Sequence, residues 1–512
     1  MQISDKNRYF IQEASIAVLI FVISALIYGA PGCNGMLIRD DAIYLYSGQQ
    51  AAKGVPPYVS SFEIKGPLSP LIVGFGVMIS NILDCDDLHV VRLGFLLISC
   101  LAVLSIYLLG NSLFRSRRVA ILGALTSLTF YYFAIHAAAG PRPKTPLVLF
   151  ISLTLLFSGK KQWFWAGLFS SLAVLTWQPM GIFPLMTIFL SVAAESERQR
   201  KVSALCRVLA GIGLPLLLII AYFAHHGALY DFLDGFIFFN LRNPDRIQGI
   251  SFIKNFLRVL RIVWVSERAM YLSTLIGFIT VLYWYPSRYI SYRSVKDMIS
   301  KDRFAPLLLS FPLLCIWTLV DVQGPPDLFV FHPYISLGFA SFLDLALKHA
   351  EEAKDLRFRR KTIPFLSIAM CITLLMVSCT QVRQIREKNK REGGIARQRK
   401  VANKIAARFG KDAKIICIEA PQILTLLHLK NPNPYIFINA GIDRRIHYAT
   451  PGGFEGWIRE MEAYDPDVII TGRLYGGVYM PKLTNWLKTN YHEEKLGCWT
   501  LRIKIRRKDS IG

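Results

Sequence analysis

The chain has 512 residues, 53% of them hydrophobic, with a mean hydropathy of +0.37 and a formal net charge of +24. Apolar stretches long enough to span a bilayer recur between short basic loops, which excludes an ordinary soluble protein. Nucleic acid is excluded as a partner by where the charge lies: outside the C-terminal region, Lys and Arg fall mainly in those short loops, as the positive-inside rule requires.

The first apolar stretch, 13–31, follows Lys6 and Arg8 and is read as a retained signal-anchor helix, because many spans follow it. It opens into an external loop, 32–87, dense in polar chemistry. Asp40-Asp41 comes first, then Tyr44, Tyr46 and Tyr58, then Phe62-Glu63-Ile64-Lys65-Gly66-Pro67. Asp is a favoured N-cap, so one of the pair could simply cap a helix over 42–53. Segment 67–83 is apolar but short, and Pro70, Gly74 and Gly76 interrupt it. If it crossed the membrane, Arg115-Ser116-Arg117-Arg118, Lys160-Lys161, Arg198 to Lys201 and Arg357 to Lys361 would all land outside, against the positive-inside rule. Segment 67–83 is therefore expected to be an interfacial or re-entrant helix within the first loop.

The remaining expected spans are 88–109, 119–139, 146–159, 163–178, 179–194, 208–226, 268–285, 304–322, 334–348 and 362–380. The expected architecture is an α-helical membrane protein of about 11 transmembrane helices, with its N-terminus inside and its C-terminus outside. External segments then include the first loop, the turn Gly140-Pro141-Arg142-Pro143-Lys144, the loop 227–267, and the turn from Gln323 to Tyr334. Ionisable groups at membrane depth are costly and mark functional candidates. Arg142 and Lys144 stand on the side where basic residues are disfavoured. His332 precedes Pro333 and Tyr334 at a span start. Gln178, in the tight hairpin Trp177-Gln178-Pro179, can hydrogen-bond a sugar, while His225-His226 reads as an interface marker. Within 227–267, Phe252, Phe256, Leu257, Leu260 and Val263 share one helical face opposite Lys254, Arg258 and Arg261, the pattern of a helix lying in the interface.

After a linker, 381–394, the composition becomes that of a soluble domain, 395–512. Residues 381–512 carry 25 Lys and Arg against 13 Asp and Glu. That surplus suits anionic headgroups or an anionic acceptor. Helices are expected at 395–409, 421–429, 453–464 and 481–490, with strands at Lys414 to Ile418, Tyr435 to Ile438, Asp467 to Ile470 and, as a closing edge strand, 499–506. The alternation predicts a small α/β domain. The nine cysteines form no CxxC; a Cys417–Cys498 bridge is possible. No dinucleotide or Walker signature is present and no metal-ligand spacing occurs, so no cofactor is implied.

The charged residues suit glycosyl transfer with inversion. Asp40 can act as general base on an acceptor hydroxyl, with Asp41 and Glu63 orienting it or holding a divalent ion. Lys65, Arg142 and Lys144 can neutralise a leaving phosphate. His332, Tyr334 and Gln178 are candidates for donor phosphate or sugar contact.

At these positions the chain resembles a known family. Arg39-Asp40-Asp41-Ala42-Ile43-Tyr44-Leu45-Tyr46, Gly54-Val55-Pro56-Pro57-Tyr58 and Phe62-Glu63-Ile64-Lys65-Gly66-Pro67-Leu68 are similar to the first periplasmic loop of GT-C membrane glycosyltransferases. The nearest type is the protein-mannosyltransferase-like group, glycosyltransferase family 39-like, that includes bacterial lipid A aminoarabinose transferases. Arg142-Pro143-Lys144-Thr145, Trp177-Gln178-Pro179 and His332-Pro333-Tyr334 fit the same group. The resemblance implies a polyprenyl-phosphate sugar donor, inversion at the anomeric centre, Asp40 as base, and Glu63 and Lys65 approaching donor phosphate or metal. Asp41 stands where many relatives have Glu, and Lys65 is followed by Gly66 rather than by Pro.

The expected function is thus transfer of a mannose- or arabinose-like sugar to an extracytoplasmic glycan, lipid or protein, in a bacterial inner membrane. Two other classes compete with this reading. A transporter or flippase of lipid-linked saccharides would place its binding charges near the midplane and often show inverted repeats; here the charges cluster at outer ends. A non-catalytic assembly protein leaves the acidic first loop unexplained.

Overall fold

The computed structural model describes residues 5–242, 251–266, 270–352, 356–410, 412–474 and 476–505. The chain divides into two compact units. One comprises Met1–Cys33, Arg92–Ala221 and Ile250–Lys388; the other comprises Asn34–Val91, Tyr222–Gly249 and Asn389–Gly512. The units do not follow the sequence order of an expected membrane domain 1–380 and soluble domain 395–512: residues of the first loop share a unit with the C-terminal domain.

The first unit is mainly helical, and over its described residues each of the eleven expected spans falls largely on helix. By length and apolarity five helices among the described residues can cross a membrane, or up to seven if each bent pair is one span. Four shorter apolar helices accompany them: Leu68–Leu83, Lys144–Gly159, Trp163–Thr176 and Gln178–Ala193. The stretch 119–139, expected as one span, is two helices, Arg117–Leu128 and Tyr131–Ala137, at 74° to each other. Residues 381–392, expected as linker, continue the helix Leu356–Glu392, which stops before Gly393 at φ +75°.

Several hydroxyls within the apolar helices are satisfied locally: Ser99, Ser152 and Thr318 each donate to the carbonyl four residues back at 2.8 Å. Such bonds let a polar group sit in an apolar span without an unpaired donor. Close helix contact is made by small residues. A Cβ on Gly338 would stand 2.3 Å from the Gly277 carbonyl, so helices Tyr271–Tyr289 and His332–Glu352 meet backbone to backbone there.

Where an interfacial helix is expected, the chain forms the helix Phe252–Ser266. Phe252, Ile253, Phe256, Leu257, Trp264 and Val265 are exposed, and Arg258 donates to the Val322 carbonyl at 3.0 Å. The apolar exposure is what a helix against lipid presents. Part of the loop 227–267, namely 243–250 and 267, lies outside the described residues, as do residue 506 of the expected last strand and the side chains of Arg357 to Lys361.

In the second unit the helix Arg39–Ala52 packs on Leu68–Leu83. A Cβ on Gly48 would lie 2.3 Å from a Val73 methyl, and Gly74 faces the Gly48 carbonyl. The C-terminal part is a four-stranded sheet, β1 (Ile415–Ile418), β2 (Val468–Thr471), β3 (Tyr491–Leu496) and β4 (Trp499–Lys504), in the order β1-β2-β4-β3. β1 and β2 are parallel, the other pairs antiparallel. Helices Gly394–Phe409, Pro421–Leu426, Gly453–Tyr464 and Met480–Asn490 match expectation, and Ile442–Ala449 adds a fifth.

Two expectations are corrected. The last strand lies inside the sheet, because β3 pairs outside it through a two-residue Gly497-Cys498 turn. β3 reads as polar, with His492, Glu493, Glu494 and Lys495, as suits a charged edge. Tyr435 to Ile438 forms no strand. Pro432 and Pro434 bring no N–H to a ladder, and the run instead accepts one bond, Glu419 N–H to the Ile436 carbonyl at 2.9 Å. Cys417 is a buried and Cys498 an exposed free thiol, so the Cys417–Cys498 bridge is not formed.

Candidate active site

The first-loop acids stand at the start of the helix Arg39–Ala52. The N-cap is Ile38, whose side chain makes no cap bond, so neither Asp40 nor Asp41 is the cap. Both lie in the first turn, where the helix dipole favours negative charge. Their exposures differ in a way that separates their roles: Asp40's side chain is 41% exposed, whereas Asp41 is 1% exposed. Asp40 is open to a ligand, and Asp41 is part of the interior.

Arg39 holds Asp40 from one side. Its Nε and Nη2 lie 3.3 and 3.2 Å from Asp40 Oδ1, and its Nη1 donates to Glu419 Oε2 at 2.6 Å. With its amide oxygen turned toward the guanidinium, Asn439 accepts from Nη1 and Nη2 at 2.9 and 3.1 Å. Glu419 is itself fixed: buried, at φ +58°, its Oε1 accepting from the Ile438 N–H at 2.9 Å. Further bonds tie the first loop to the C-terminal part of the same unit. Gln398 exchanges two bonds with the Leu37 backbone at 2.7 and 2.9 Å, and the Asn431 N–H donates to the Tyr46 hydroxyl at 3.0 Å.

Glu63 is buried, and its Oε1 has no hydrogen-bond partner among the described residues. Burial raises its carboxyl to about 8; Lys65 opposes the shift and the Asp40 charge adds to it. At neutral pH Glu63 is therefore mostly a neutral acid, able to donate a hydrogen bond. Lys65 is half-buried, its ammonium 5.9 Å from the Tyr44 ring centroid.

The backbone around this pair is clamped. Tyr58, at φ +70°, donates to the Lys65 carbonyl at 2.6 Å, and Asn240 donates to the Ile64 carbonyl at 2.9 Å. Asn240 follows a π-helical turn, Asp234–Phe238, a form that often marks functional positions. Within it a Cβ on Gly235 would stand 2.5 Å from the Tyr58 ring and 2.6 Å from the Glu63 carbonyl. Asp234 pairs with Arg445, whose guanidinium lies 5.1 Å from the Phe62 ring centroid.

The other candidates lie in the membrane unit. Lys144 is buried and ion-paired with Asp327, and its ammonium is 4.4 Å from the Trp177 ring centroid. Asp327 also accepts from the Gln323 and Gly324 N–H groups at 2.6 and 3.0 Å. Two turns that the sequence reading expects outside are thereby joined, and the Lys144 charge already has a counter-ion. His332 is stacked on Phe130 at 4.1 Å and 6° and flanked by Phe133 and Phe329. Tyr334 is buried, with its hydroxyl 2.7 Å from Ser310 Oγ. Arg142 and Gln178 are half-buried, each at the mouth of an apolar helix.

His332 also lines an apolar cavity of about 320 Å³, with Phe256, Leu260 and Val263 of the helix Phe252–Ser266, Phe278 and Leu319. Among the described residues no three His, Cys, Asp or Glu side chains group as metal ligands, so Asp41 and Glu63 lack a third donor of that kind.

The structure thus brings Asp40, Glu63 and Lys65 into one electrostatically coupled group. It keeps Arg142, Lys144, Gln178, His332 and Tyr334 in the membrane unit. Sequence reasoning assigned no role to Arg39, Tyr58, Asp234, Asn240, Glu419 or Arg445. The only local signals were the basic residue abutting the acidic pair and the lone glycine among aromatics at 235.

Residues 65–223 match the family model described as dolichyl-phosphate-mannose-protein mannosyltransferase. The fold is similar to that of ArnT from Cupriavidus metallidurans. The crystal structure bound to undecaprenyl phosphate aligns with a TM-score of 0.58 and 12% identity, over 97% of this chain and 98% of that one. The apo-state crystal structure aligns with a TM-score of 0.56 and 12% identity, over 98% and 99%. No curated protein sequence matches the chain. The expected GT-C membrane fold is borne out, and the family match supports a glycosyltransferase that uses a polyprenyl-phosphate-linked sugar.

Proposed function

We propose that this protein is an inverting glycosyltransferase that moves a mannose- or arabinose-like sugar from a polyprenyl phosphate to an extracytoplasmic glycan, lipid or protein. It works in a bacterial inner membrane, with its N-terminus cytoplasmic, about 11 spans, and its first loop and C-terminal domain outside. The observation that carries the reading is the group around Asp40: an exposed carboxylate braced by Arg39, coupled to a buried neutral Glu63 and to Lys65.

The chemistry follows from those states. The acceptor hydroxyl attacks the anomeric carbon from the face opposite the phosphate, and its proton passes to the Asp40 carboxylate. The bond from the anomeric carbon to the phosphate oxygen breaks, and the electron pair leaves on polyprenyl phosphate. Negative charge grows on that phosphate, where the Lys65 ammonium attracts it and a protonated Glu63 donates a hydrogen bond instead of repelling it. Asp41 orients the turn. Arg142 and Gln178 remain donor-contact candidates, and Lys144 can join them only by leaving Asp327. His332 acts by closing the apolar cavity, which suits part of an isoprenoid chain.

Asp40→Asn keeps the shape of the side chain and removes the base. The expected outcome is a folded protein that no longer forms the glycosidic bond from a polyprenyl-phosphate sugar in reconstituted membranes. Full transfer by that variant would overturn the assignment. Saccharide movement across vesicles by the native chain, with no new glycosidic bond, would favour the transport reading.

A further inference from the structure

We propose that a basic pocket in the membrane unit binds the phosphate of an anionic phospholipid headgroup. The pocket has a volume of about 880 Å³ and gathers Arg115, Arg117, Arg118, Lys160 and Arg303 from three different turns. It is remote from the Lys144–Asp327 pair. Lys144 opens the helix that Lys160 caps, which separates them by about 24 Å at 1.5 Å per residue.

Charge bookkeeping singles out three of the five cations. Arg117 is paired with Glu13, and Arg118 lies 3.5 Å from Asp344. Arg115, Lys160 and Arg303 have no carboxylate within ion-pair distance among the described residues. A basic loop that merely obeys the positive-inside rule leaves its cations apart in water. Here they converge: burial and the Arg303 guanidinium both push the Lys160 ammonium below its ordinary value.

The convergence is built into the backbone. A Cβ on Gly159 would stand 2.9 Å from the Arg303 carbonyl, so these two turns touch directly. The Arg303 guanidinium reaches the Ser112 carbonyl at 3.4 Å. The helix Arg117–Leu128 begins at the pocket, with Ser116 as its cap, and adds the positive end of its dipole. Gathering like charges costs energy that an anion would offset. Leu108 and Ile121 line the same pocket. An apolar wall beside a cationic floor fits a phosphodiester carrying glycerol and acyl chains better than a free phosphate ion.

The test uses the full-length protein in neutral detergent, with lipid binding followed by native mass spectrometry. Phosphatidylglycerol is the probe, with phosphatidylcholine and inorganic phosphate as comparisons. Native protein is expected to bind phosphatidylglycerol roughly tenfold or more tightly than phosphatidylcholine, and the triple variant Arg115→Gln/Lys160→Gln/Arg303→Gln to lose that preference. Arg303→Glu, on an exposed side chain, is the second variant and is expected to lose it alone if the triple variant does not fold. Equal binding of the two lipids by native protein, or an unchanged preference in Arg303→Glu, would overturn the site. Displacement of the lipid by millimolar inorganic phosphate would overturn the lipid as its source.

Discussion

Glu419 accepts a 2.6 Å hydrogen bond from Arg39, and the other edge of the same guanidinium holds Asp40. The proposed base is therefore positioned from a strand end nearly 400 residues away in the chain. Glu419 is a positioning residue, since it touches Arg39 and not the acceptor. Glu419→Gln keeps the shape but weakens a buried charge-assisted bond. Turnover is expected to fall about ten- to a hundredfold with donor KM little changed, since misplacing a reacting group by about 1 Å can cost about a hundredfold. Glu419→Asp should recover part of the loss. Steady-state kinetics on both variants, beside a melting curve, check this; an equal loss of kcat and thermal stability with no rescue would reduce Glu419 to a structural role.

Gly235 is a second place where packing sets the site. Its missing Cβ leaves room for the Tyr58 ring and the Glu63 carbonyl, and neither can retreat freely: Tyr58 is bonded to the Lys65 carbonyl. Gly235→Ala is expected to cost about 1–3 kcal/mol by overpacking. It should also lower activity more than Gly54→Ala does, since Gly54 has open space around it but lies at φ +84°. Thermal unfolding and transfer assays on the two variants make the comparison.

These cases show which parts of the molecule the sequence could reveal. The apolar helices are legible because a hydrocarbon solvent imposes long apolar runs, and Glu63 and Lys65 stand out as charges beside one. The bend between Leu128 and Tyr131 left no proline or charge to announce it. β3 gives no signal because an edge strand is allowed to be polar, and Tyr435 to Ile438 misleads because its apolar run outweighs the two prolines before it. Arg39–Glu419 and Asp234–Arg445 were illegible for another reason. Each joins residues more than 200 positions apart, and nothing local in either partner names the other.

The topology has its own test. Cys85 is exposed, immediately after the helix Leu68–Leu83. In a variant retaining only this cysteine, a membrane-impermeant maleimide added outside intact cells or spheroplasts is expected to label it. Labelling only after the membrane is opened would mean that 67–83 crosses, and every basic loop after it would change sides.

Glu63 gives a pH dependence with a definite sign. Its folded value of about 8 lies above the ordinary 4.5, because the buried charged form is penalised. Below about 4.5 both folded and unfolded states hold the proton. As pH rises the unfolded chain ionises first, so native stability falls through the window from 4.5 to about 8 and levels off above it. Glu63→Gln removes this titration. The melting temperature of the variant, relative to the native protein, is therefore expected to climb from pH 5 to pH 8. Transfer should respond around the folded value: if neutral Glu63 donates to the leaving phosphate, native activity declines as the pH passes about 8. Glu63→Gln, which keeps a donor, should retain substantial activity there. A difference in melting temperature that stays flat across the window would mean that Glu63 is ionised in the folded protein, and its proposed donor role would fall with it.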